Sequence, residues 1–177
     1  EASKVSVDDA LAFVSGYVCA NDVSARDLQF GDKQWVRGKS LDTFCPVGPV
    51  VVPASEIPDP QALRLRTILN GEVVQEATAG DLLFPVAYQL ADLSRTITLE
   101  PGDVVLTGTP ANSRPMRPGD VVEVEITGLG RLTNEIVEWD VDLAGPGEQL
   151  QVSAQTLHVA LAIPEDEAER RVAEGGA

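Results

Sequence analysis

The chain has little of what several protein classes require. It contains two cysteines, Cys19 and Cys45, without CxxC spacing, and a single histidine, His158. We therefore expect neither a zinc knuckle nor a disulfide framework, and a reducing compartment. No apolar run approaches the roughly 20 residues of a membrane-spanning helix, and no charged-then-apolar leader is present. These features predict a cytoplasmic protein with no membrane partner. The sequence also has no P-loop and no GxGxxG motif.

Basic residues are scarce as well. The 177 residues include 13 Lys and Arg against 28 Asp and Glu, which gives a net charge of −15. Such a surface repels nucleic-acid phosphates, so we expect no nucleic-acid partner. An anionic substrate would feel the same repulsion, and a site for an oxo acid would need a local Lys, Arg or metal ion. The apolar content of 44% is enough for one buried core.

The apolar periodicity predicts a mainly β chain with a few helices, an α+β class. Asn70-Gly71 between two alternating runs predicts a hairpin with a type I′ turn. Other predicted strands cover residues 17–23, 47–52, 104–107, 121–126 and 131–137, with 47–52 buried. Helices are expected from Ser6 to Gly16, from Pro85 to Ile97 and from Pro164 to Gly175, the last with Asp166–Arg170 and Glu167–Arg171 pairs. Residues 30–43 read as a functional loop, and 152–163 as either strand or helix.

Two neighbouring segments concentrate chemically active side chains. Residues 21–29 read Asn-Asp-Val-Ser-Ala-Arg-Asp-Leu-Gln, and residues 37–43 read Arg-Gly-Lys-Ser-Leu-Asp-Thr. A carboxylate that can hold a cation, beside a lysine that can stabilise a developing oxyanion, suits chemistry on oxo acids. We therefore expect an oxygen of Asp22 and the ammonium of Lys39 to converge on one pocket.

These segments also carry a family resemblance. Together with Leu-Thr-Gly-Thr-Pro at 106–110 and Gly-Asp-Val-Val-Glu-Val-Glu at 119–125, they resemble the fumarylacetoacetate hydrolase family over residues 6–138. The resemblance implies a mixed β-sandwich roll, usually a homodimer, that binds Mg²⁺, Mn²⁺ or Ca²⁺. Members of the family cleave C–C bonds in β-diketo acids or acylpyruvates, decarboxylate oxo acids, or isomerise unsaturated hydroxy diacids.

The resemblance also implies roles for individual residues. Asp22 corresponds to a ligand of the divalent cation, and Lys39 to a catalytic lysine that neutralises an enolate or carboxylate oxygen. Arg26 corresponds to an arginine that supports catalysis, and Gln29 to a glutamine that contacts substrate. A structural alternative for Arg26 is an ion pair with Asp22 or Asp27, and both roles can hold together.

Two threonines and a glycine complete the implied site. Thr43 matches a threonine that supports the metal ligands, Thr109 matches one that contacts substrate, and the backbone N–H groups near Gly108 could hold an anionic end. Ordinary structural roles for both threonines remain open. His158 lies beyond the resemblance, and its apolar neighbours suggest packing or an interface.

The family's upstream pair of metal-binding glutamates and its lid histidine have no match in these residues. Glu123 and Glu125 lie two apart on a later strand and are interpreted as solvent-facing residues between buried valines. Because the chain starts at Glu1 and its only methionine is Met116, we expect that a leading segment has been omitted.

We therefore expect a metal-dependent hydrolase or isomerase that acts on oxo acids through an enolate. Its candidate substrates are an acylpyruvate, a β-diketo acid or a 2-hydroxyhepta-2,4-diene-1,7-dioate. An oxaloacetate-type decarboxylase is one alternative, and a metal-free dimerising scaffold or an oxo-acid-binding module is another. Residues 1–143 are predicted to form the catalytic region, and residues 144–177 a C-terminal extension.

Overall fold

The computed structural model describes residues 1–138 and 153–174. They form two antiparallel sheets and a few helices, which confirms the α+β class. The strands are β1 (Gly16–Ala20), β2 (Val47–Pro53), β3 (Arg64–Leu69), β4 (Glu72–Thr78), β5 (Val121–Ile126) and β6 (Gly130–Glu135). The helices are α1 (Arg26–Gly31), α2 (Val36–Lys39), α3 (Val86–Ser94), α4 (Ala154–Leu161) and α5 (Glu165–Ala173).

The larger sheet has the strand order β4-β3-β5-β6. Its β3–β4 hairpin confirms the prediction: Asn70 and Gly71 form the two-residue turn with φ of 52° and 84°. Positive φ at both positions is what a type I′ turn requires, and Asn and Gly tolerate it best. Strand β5 pairs with β3 in antiparallel register, with Thr67 opposite Val124.

The smaller sheet pairs β1 with β2, with Tyr17 opposite Val52. The first strand ends at Ala20, earlier than the predicted residue 23. The second extends one residue beyond the predicted 47–52, and the expectation that it is buried is wrong, because within it only Gly48 is buried. Among the described strands β2 has one neighbour, so most of its valines face solvent.

Side chains from both sheets build the core. Its buried centre is formed by Cys19, Val124, Leu129 and Leu132. Partly buried residues pack around this centre, namely Tyr17, Val52, Ile57, Leu63, Leu65 and Ile126. The Cys19 thiol is fully buried, and this burial raises its pKa. A thiol held in its neutral form is a poor nucleophile, so Cys19 is a packing residue.

The outer face of β5 carries an ionic network. Val122 and Val124 are buried, whereas Glu123 and Glu125 bind arginines on the other side of the strand. Glu125 accepts hydrogen bonds from Arg66 and Arg131, and these bonds hold the pKa of its carboxyl below the usual value. Both glutamates already have cationic partners, which agrees with the solvent-facing interpretation.

Three predicted elements differ from the structure. The Ser6 segment forms a single 3₁₀ turn, Ala10–Phe13, although the Ser6 hydroxyl does bond the Asp9 carboxylate at 2.7 Å. Residues 30–43 are not a continuous loop, because α1 ends and α2 lies within them. Residues 104–107 form no strand, although they alternate in the manner of one.

The C-terminal helices agree better with the sequence. The ambiguous segment from 152 to 163 contains a helix, α4, and the predicted terminal helix is α5. Both predicted ion pairs of α5 are present, Arg170 with Asp166 at 3.3 Å and Arg171 with Glu167 at 2.6 Å. The predicted division at 143/144 and the predicted helix end at Gly175 lie outside the described residues, and the division stays a prediction.

The described residues group into two compact units. The strand unit comprises residues 1–20, 47–113 and 121–134 and carries both sheets and α3. The helical unit comprises residues 21–46, 114–120 and the described residues from 135 onward, and carries α1, α2, α4 and α5. No helix in the described ranges has the length and apolar character needed to cross a bilayer.

The core predicts a clear contrast between two leucines. Leu129 is 5% exposed and Leu83 is 87% exposed. We expect Leu129→Ala to lower the free energy of unfolding by about 2–5 kcal/mol, because the truncation leaves a cavity. The matched variant Leu83→Ala should stay within about 0.5 kcal/mol of the parent. Urea unfolding measures both, and equal effects would contradict the proposed core.

Candidate functional site

The helical unit brings together the two groups on which the site hypothesis depends. The Lys39 ammonium donates to the Asp22 carboxylate at 2.6 Å. The side chains are 25% and 39% exposed respectively, so the pair lies at the surface and is open to a ligand. Asp22 follows β1 by two residues, and Lys39 is the last residue of α2.

A glycine explains how α2 delivers Lys39 to this position. Gly38 is buried, and a Cβ added there would lie 2.9 Å from the Gln29 backbone nitrogen and 3.0 Å from the Ala25 carbonyl oxygen. The Gly38 carbonyl in turn accepts a hydrogen bond from the Ala25 N–H at 2.9 Å. The backbone of α2 therefore packs directly on the start of α1, which only glycine permits.

An ion pair makes a second contact between α1 and α2, and we call the two contacts together the α1–α2 junction. Arg37 donates to both oxygens of Asp32, through Nε at 2.8 Å and Nη2 at 2.7 Å. These bonds hold the pKa of the Asp32 carboxyl below its usual value. Because Asp32 directly follows α1 and Arg37 lies in α2, the two-point contact fixes the angle between the helices.

Arg26 and Gln29 lie one turn apart on α1. The Arg26 guanidinium donates to the Gln29 side-chain oxygen at 3.0 Å, and Gln29 is 5% exposed. The Arg26 guanidinium thus contacts an amide, and the structural alternative of an ion pair with Asp22 or Asp27 stays a prediction. Asp22, Arg26, Gln29 and Lys39 all belong to the helical unit.

A cleft of about 510 Å³ opens beside Lys39. Its lining consists of Lys33, Gln34, Trp35, Val36, Lys39 and Ser40. Trp35 is 60% exposed and Val36 is 68% exposed, so one wall is apolar. The volume is in the range of small-molecule sites. Lys39 therefore borders a space whose volume can admit a small organic acid.

Thr43 shows an unusual backbone. Its φ is 68°, and that of the neighbouring Cys45 is 57°. A β-branched residue rarely adopts such an angle, and conformations of this kind concentrate at functional sites. Thr43 is exposed within the helical unit. Its predicted role in supporting metal ligands stays a prediction.

Gly108 and Thr109 belong to the strand unit, where two glutamines hold their loop. Gln75 of β4 donates from Nε2 to the Thr109 hydroxyl at 3.3 Å and to the Pro110 carbonyl at 2.7 Å. Gln89 of α3 donates to the Thr107 carbonyl at 3.3 Å. Sequence reasoning missed both glutamines. The available signal was Gln75 itself, a polar residue that follows two valines in a strand and is 7% exposed.

A family model for the C-terminal domain of fumarylacetoacetate hydrolase matches residues 1–137. The chain belongs to the fumarylacetoacetate hydrolase family. Over 141 residues it is 41% identical to the oxaloacetate tautomerase YisK of Bacillus subtilis, covering 76% of this chain and 47% of that protein. Over 138 residues it is 45% identical to the 4-hydroxyphenylacetate degradation bifunctional isomerase/decarboxylase of Escherichia coli, covering 77% of this chain and 32% of that protein.

A solved structure of the family agrees with the fold. The chain is similar to 2-hydroxyhepta-2,4-diene-1,7-dioate isomerase from Mycobacterium marinum, with a TM-score of 0.75 and 44% identity. The match covers 79% of this chain and 54% of that one. The chain thus spans about half, or less, of the length of these three relatives. The family fold predicted from the sequence is confirmed.

The described residues of this family member do not make a cation site on their own. In residues 1–138 and 153–174, no three His, Cys, Asp or Glu side chains lie close enough to share an ion. Asp22 offers one carboxylate, already bonded to Lys39, whereas a hard cation prefers several oxygen ligands. His158 bonds the Ile163 carbonyl through Nδ1 at 2.6 Å, which supports the packing interpretation.

The close packing at Gly38 predicts that a Gly→Ala substitution in this helix lowers the stability of the protein, whereas such a substitution usually raises it. In a helix without tertiary constraints this substitution stabilises by about 0.5–1 kcal/mol. We expect Gly38→Ala to destabilise by about 1–3 kcal/mol, because the new methyl meets backbone that cannot rotate away. Urea unfolding gives the value, with Ser40→Ala at the neighbouring exposed position as the control. A stabilised Gly38→Ala would disprove the close packing of α2 on α1.

The Arg37–Asp32 pair predicts the behaviour of the junction with pH. The pKa of Asp32 is lowered in the folded protein. Its contribution to the free energy of unfolding is therefore complete above the ordinary carboxyl pKa of roughly 3.9, and is lost as the pH falls through the lowered pKa of the folded state. Arg37→Gln should return the Asp32 pKa towards its ordinary value, as followed by carboxyl ¹³C NMR. Arg95→Gln, in an exposed pair with Asp92, should leave Asp32 unchanged. An unchanged Asp32 titration in Arg37→Gln would contradict this assignment.

Proposed function

We propose that the protein containing this chain is an enzyme that interconverts oxo acids and their enol or isomeric forms through an enolate. The observation that carries the proposal is the 2.6 Å contact of the Lys39 ammonium with Asp22, together with the place of Lys39 in the lining of an open cleft. The names of three relatives support the choice of reaction, since they are a tautomerase, an isomerase/decarboxylase and an isomerase.

In this reaction a base takes a proton from a carbon beside the oxo group, and none of the described residues is assigned that role. The electron pair of the broken C–H bond then moves to the oxo oxygen and gives an enolate. Return of a proton to oxygen gives an enol, and its return to a different carbon moves the double bond. An ammonium beside the oxo oxygen stabilises the charge that develops there. Lys39 would supply that ammonium, because it is among the residues that line the cleft.

Arg26 and Gln29 would hold the acid end of the substrate. The guanidinium pairs well with a carboxylate, and its bond to the Gln29 side-chain oxygen limits the directions in which it can point. Gln29 is buried, so its amide is an orienting group of fixed position. For Thr109 and the backbone at Gly108, which belong to the strand unit, a substrate contact is proposed from the family resemblance alone, and Gln75 holds their loop.

We also propose that Mg²⁺ or Mn²⁺, or else Ca²⁺, is the cofactor and that Asp22 is one of its ligands. Support comes from the oxygen chemistry of Asp22 and from the family resemblance. The remaining ligands are not supplied by the described residues. Cation binding at Asp22 would free the Lys39 ammonium from its present partner.

Decarboxylation of an oxo acid is the second candidate reaction. The Escherichia coli relative carries this activity in its name. Loss of CO₂ from a β-oxo acid leaves the same enolate, because the electron pair of the broken C–C bond moves to the oxo oxygen. Lys39 would again stabilise the enolate oxygen. Hydrolysis of an acylpyruvate differs, since it requires an activated water in addition.

Substitution of Lys39 tests the proposal. We expect Lys39→Met to lower kcat/KM by about 10²–10³-fold, as removal of one oxyanion-stabilising group does elsewhere. The control is Lys4→Met, which removes the same charge from an exposed site in the strand unit. Turnover of oxaloacetate, an acylpyruvate and a hydroxydienedioate would be measured with Mg²⁺ or Mn²⁺, before and after chelation.

The outcomes separate the candidate functions. Turnover that survives in Lys39→Met would remove the enolate-stabilising role. Absence of turnover of all three substrates, with oxalate binding seen by calorimetry, would indicate an oxo-acid-binding module. Absence of both would leave the scaffold interpretation. Turnover that is unaffected by chelation would contradict the cofactor proposal alone.

A further inference from the structure

Helices α4 and α5 lie beyond residue 137, where the family match ends. Their sequence builds a helical hairpin with defined ends. The Ser153 hydroxyl accepts the Thr156 N–H at 3.1 Å and caps α4, and Ala162 ends it in the left-handed conformation with φ of 52°. The His158 ring then bonds the Ile163 carbonyl just beyond this end.

One face of α4 is buried. Leu157 is 2% exposed and Ala160 is 8% exposed, three residues apart and hence on the same side of the helix. Val159 is 54% exposed. Helix α4 packs against both α5 and α1. One of its two main helical neighbours is therefore the helix that carries Arg26 and Gln29.

Helix α1 needs this support. It has six residues, fewer than the length at which a helix is stable in water without tertiary contacts. No side chain caps its first turn. Its conformation therefore depends on what packs against it, and both α2, through Gly38, and α4 do so.

We propose that Leu157 is a positioning residue of the candidate site, which acts through α1 on the placement of Arg26 and Gln29. The proposal rests on the proposed function for its consequence in catalysis. Its structural basis is the packing of α4 on α1 and does not depend on any particular substrate. It assigns a task in the site to a segment beyond the family match.

Amide hydrogen exchange tests the packing step. We expect Leu157→Ala to speed exchange in residues 26–31 by about tenfold or more, because the helix loses a buried contact. Val159→Ala, on the exposed face, should leave that exchange unchanged, and Leu157→Met should restore it. Leu157→Val is a milder variant to use if Leu157→Ala does not fold. Unchanged exchange in 26–31, or equal acceleration in the β3–β4 hairpin, would overturn the proposal.

Kinetics test the catalytic step. We expect Leu157→Ala to raise KM for the oxo acid about tenfold with a smaller change in kcat, and this effect should vanish in a Gln29→Ala background. Independent, additive effects of the two substitutions would overturn a role through α1. If the parent protein turns over no oxo acid, the proposed function fails, and the exchange experiment still decides whether α4 positions α1.

Discussion

The candidate site depends on the direct backbone packing of α2 against α1 at Gly38. This contact fixes where α2 ends and therefore where the Lys39 ammonium lies. The ion pair that results, Lys39 with Asp22, is partly exposed and would contribute at most about 1 kcal/mol to stability. It cannot organise the segment by itself. Its geometry is a consequence of the packing beneath it and of the Arg37–Asp32 contact beside it.

Charge distribution bears on how the candidate site could accept an anion. The protein carries a net charge of −15, so acidic side chains outnumber basic ones and are available to pair with them. Arg66 and Arg131 are used by the glutamates of β5, and the arginines of α5 by acids one turn away. Lys39 also has a carboxylate partner, but it borders a cleft and belongs to the same unit as Arg26. The local field there can favour an acid that the rest of the surface repels.

The sequence predicted those features that short patterns determine. Asn70-Gly71 specified the hairpin because few residue pairs accept two positive φ angles, and the alternation around Glu123 and Glu125 gave the faces of β5. Family blocks identified Asp22 and Lys39. The structure places these two side chains in contact, but only Lys39 is among the residues that line the cleft. Helices α1 and α2 were missed because six and four residues are too few to show a helical period. Three features depend on tertiary contacts that no local sequence pattern encodes. They are the close backbone packing at Gly38, the exposure of β2 and the hydrogen bonds by which Gln75 holds the loop of Thr109.

The Lys39–Asp22 pair raises the question of how a substrate could use a lysine that already has a partner. An isolated ammonium in a cleft would be mobile and fully hydrated, and ordering it would oppose binding. Here the ammonium is held by the Asp22 carboxylate. An incoming enolate or carboxylate oxygen would either replace the Asp22 oxygen or bind the ammonium beside it. Part of the loss of side-chain freedom has therefore occurred before a substrate arrives. The same carboxylate, once exchanged, is available to a cation. A paired lysine is thus compatible with the proposed chemistry, and the pairing accounts for how its position is kept in the absence of substrate.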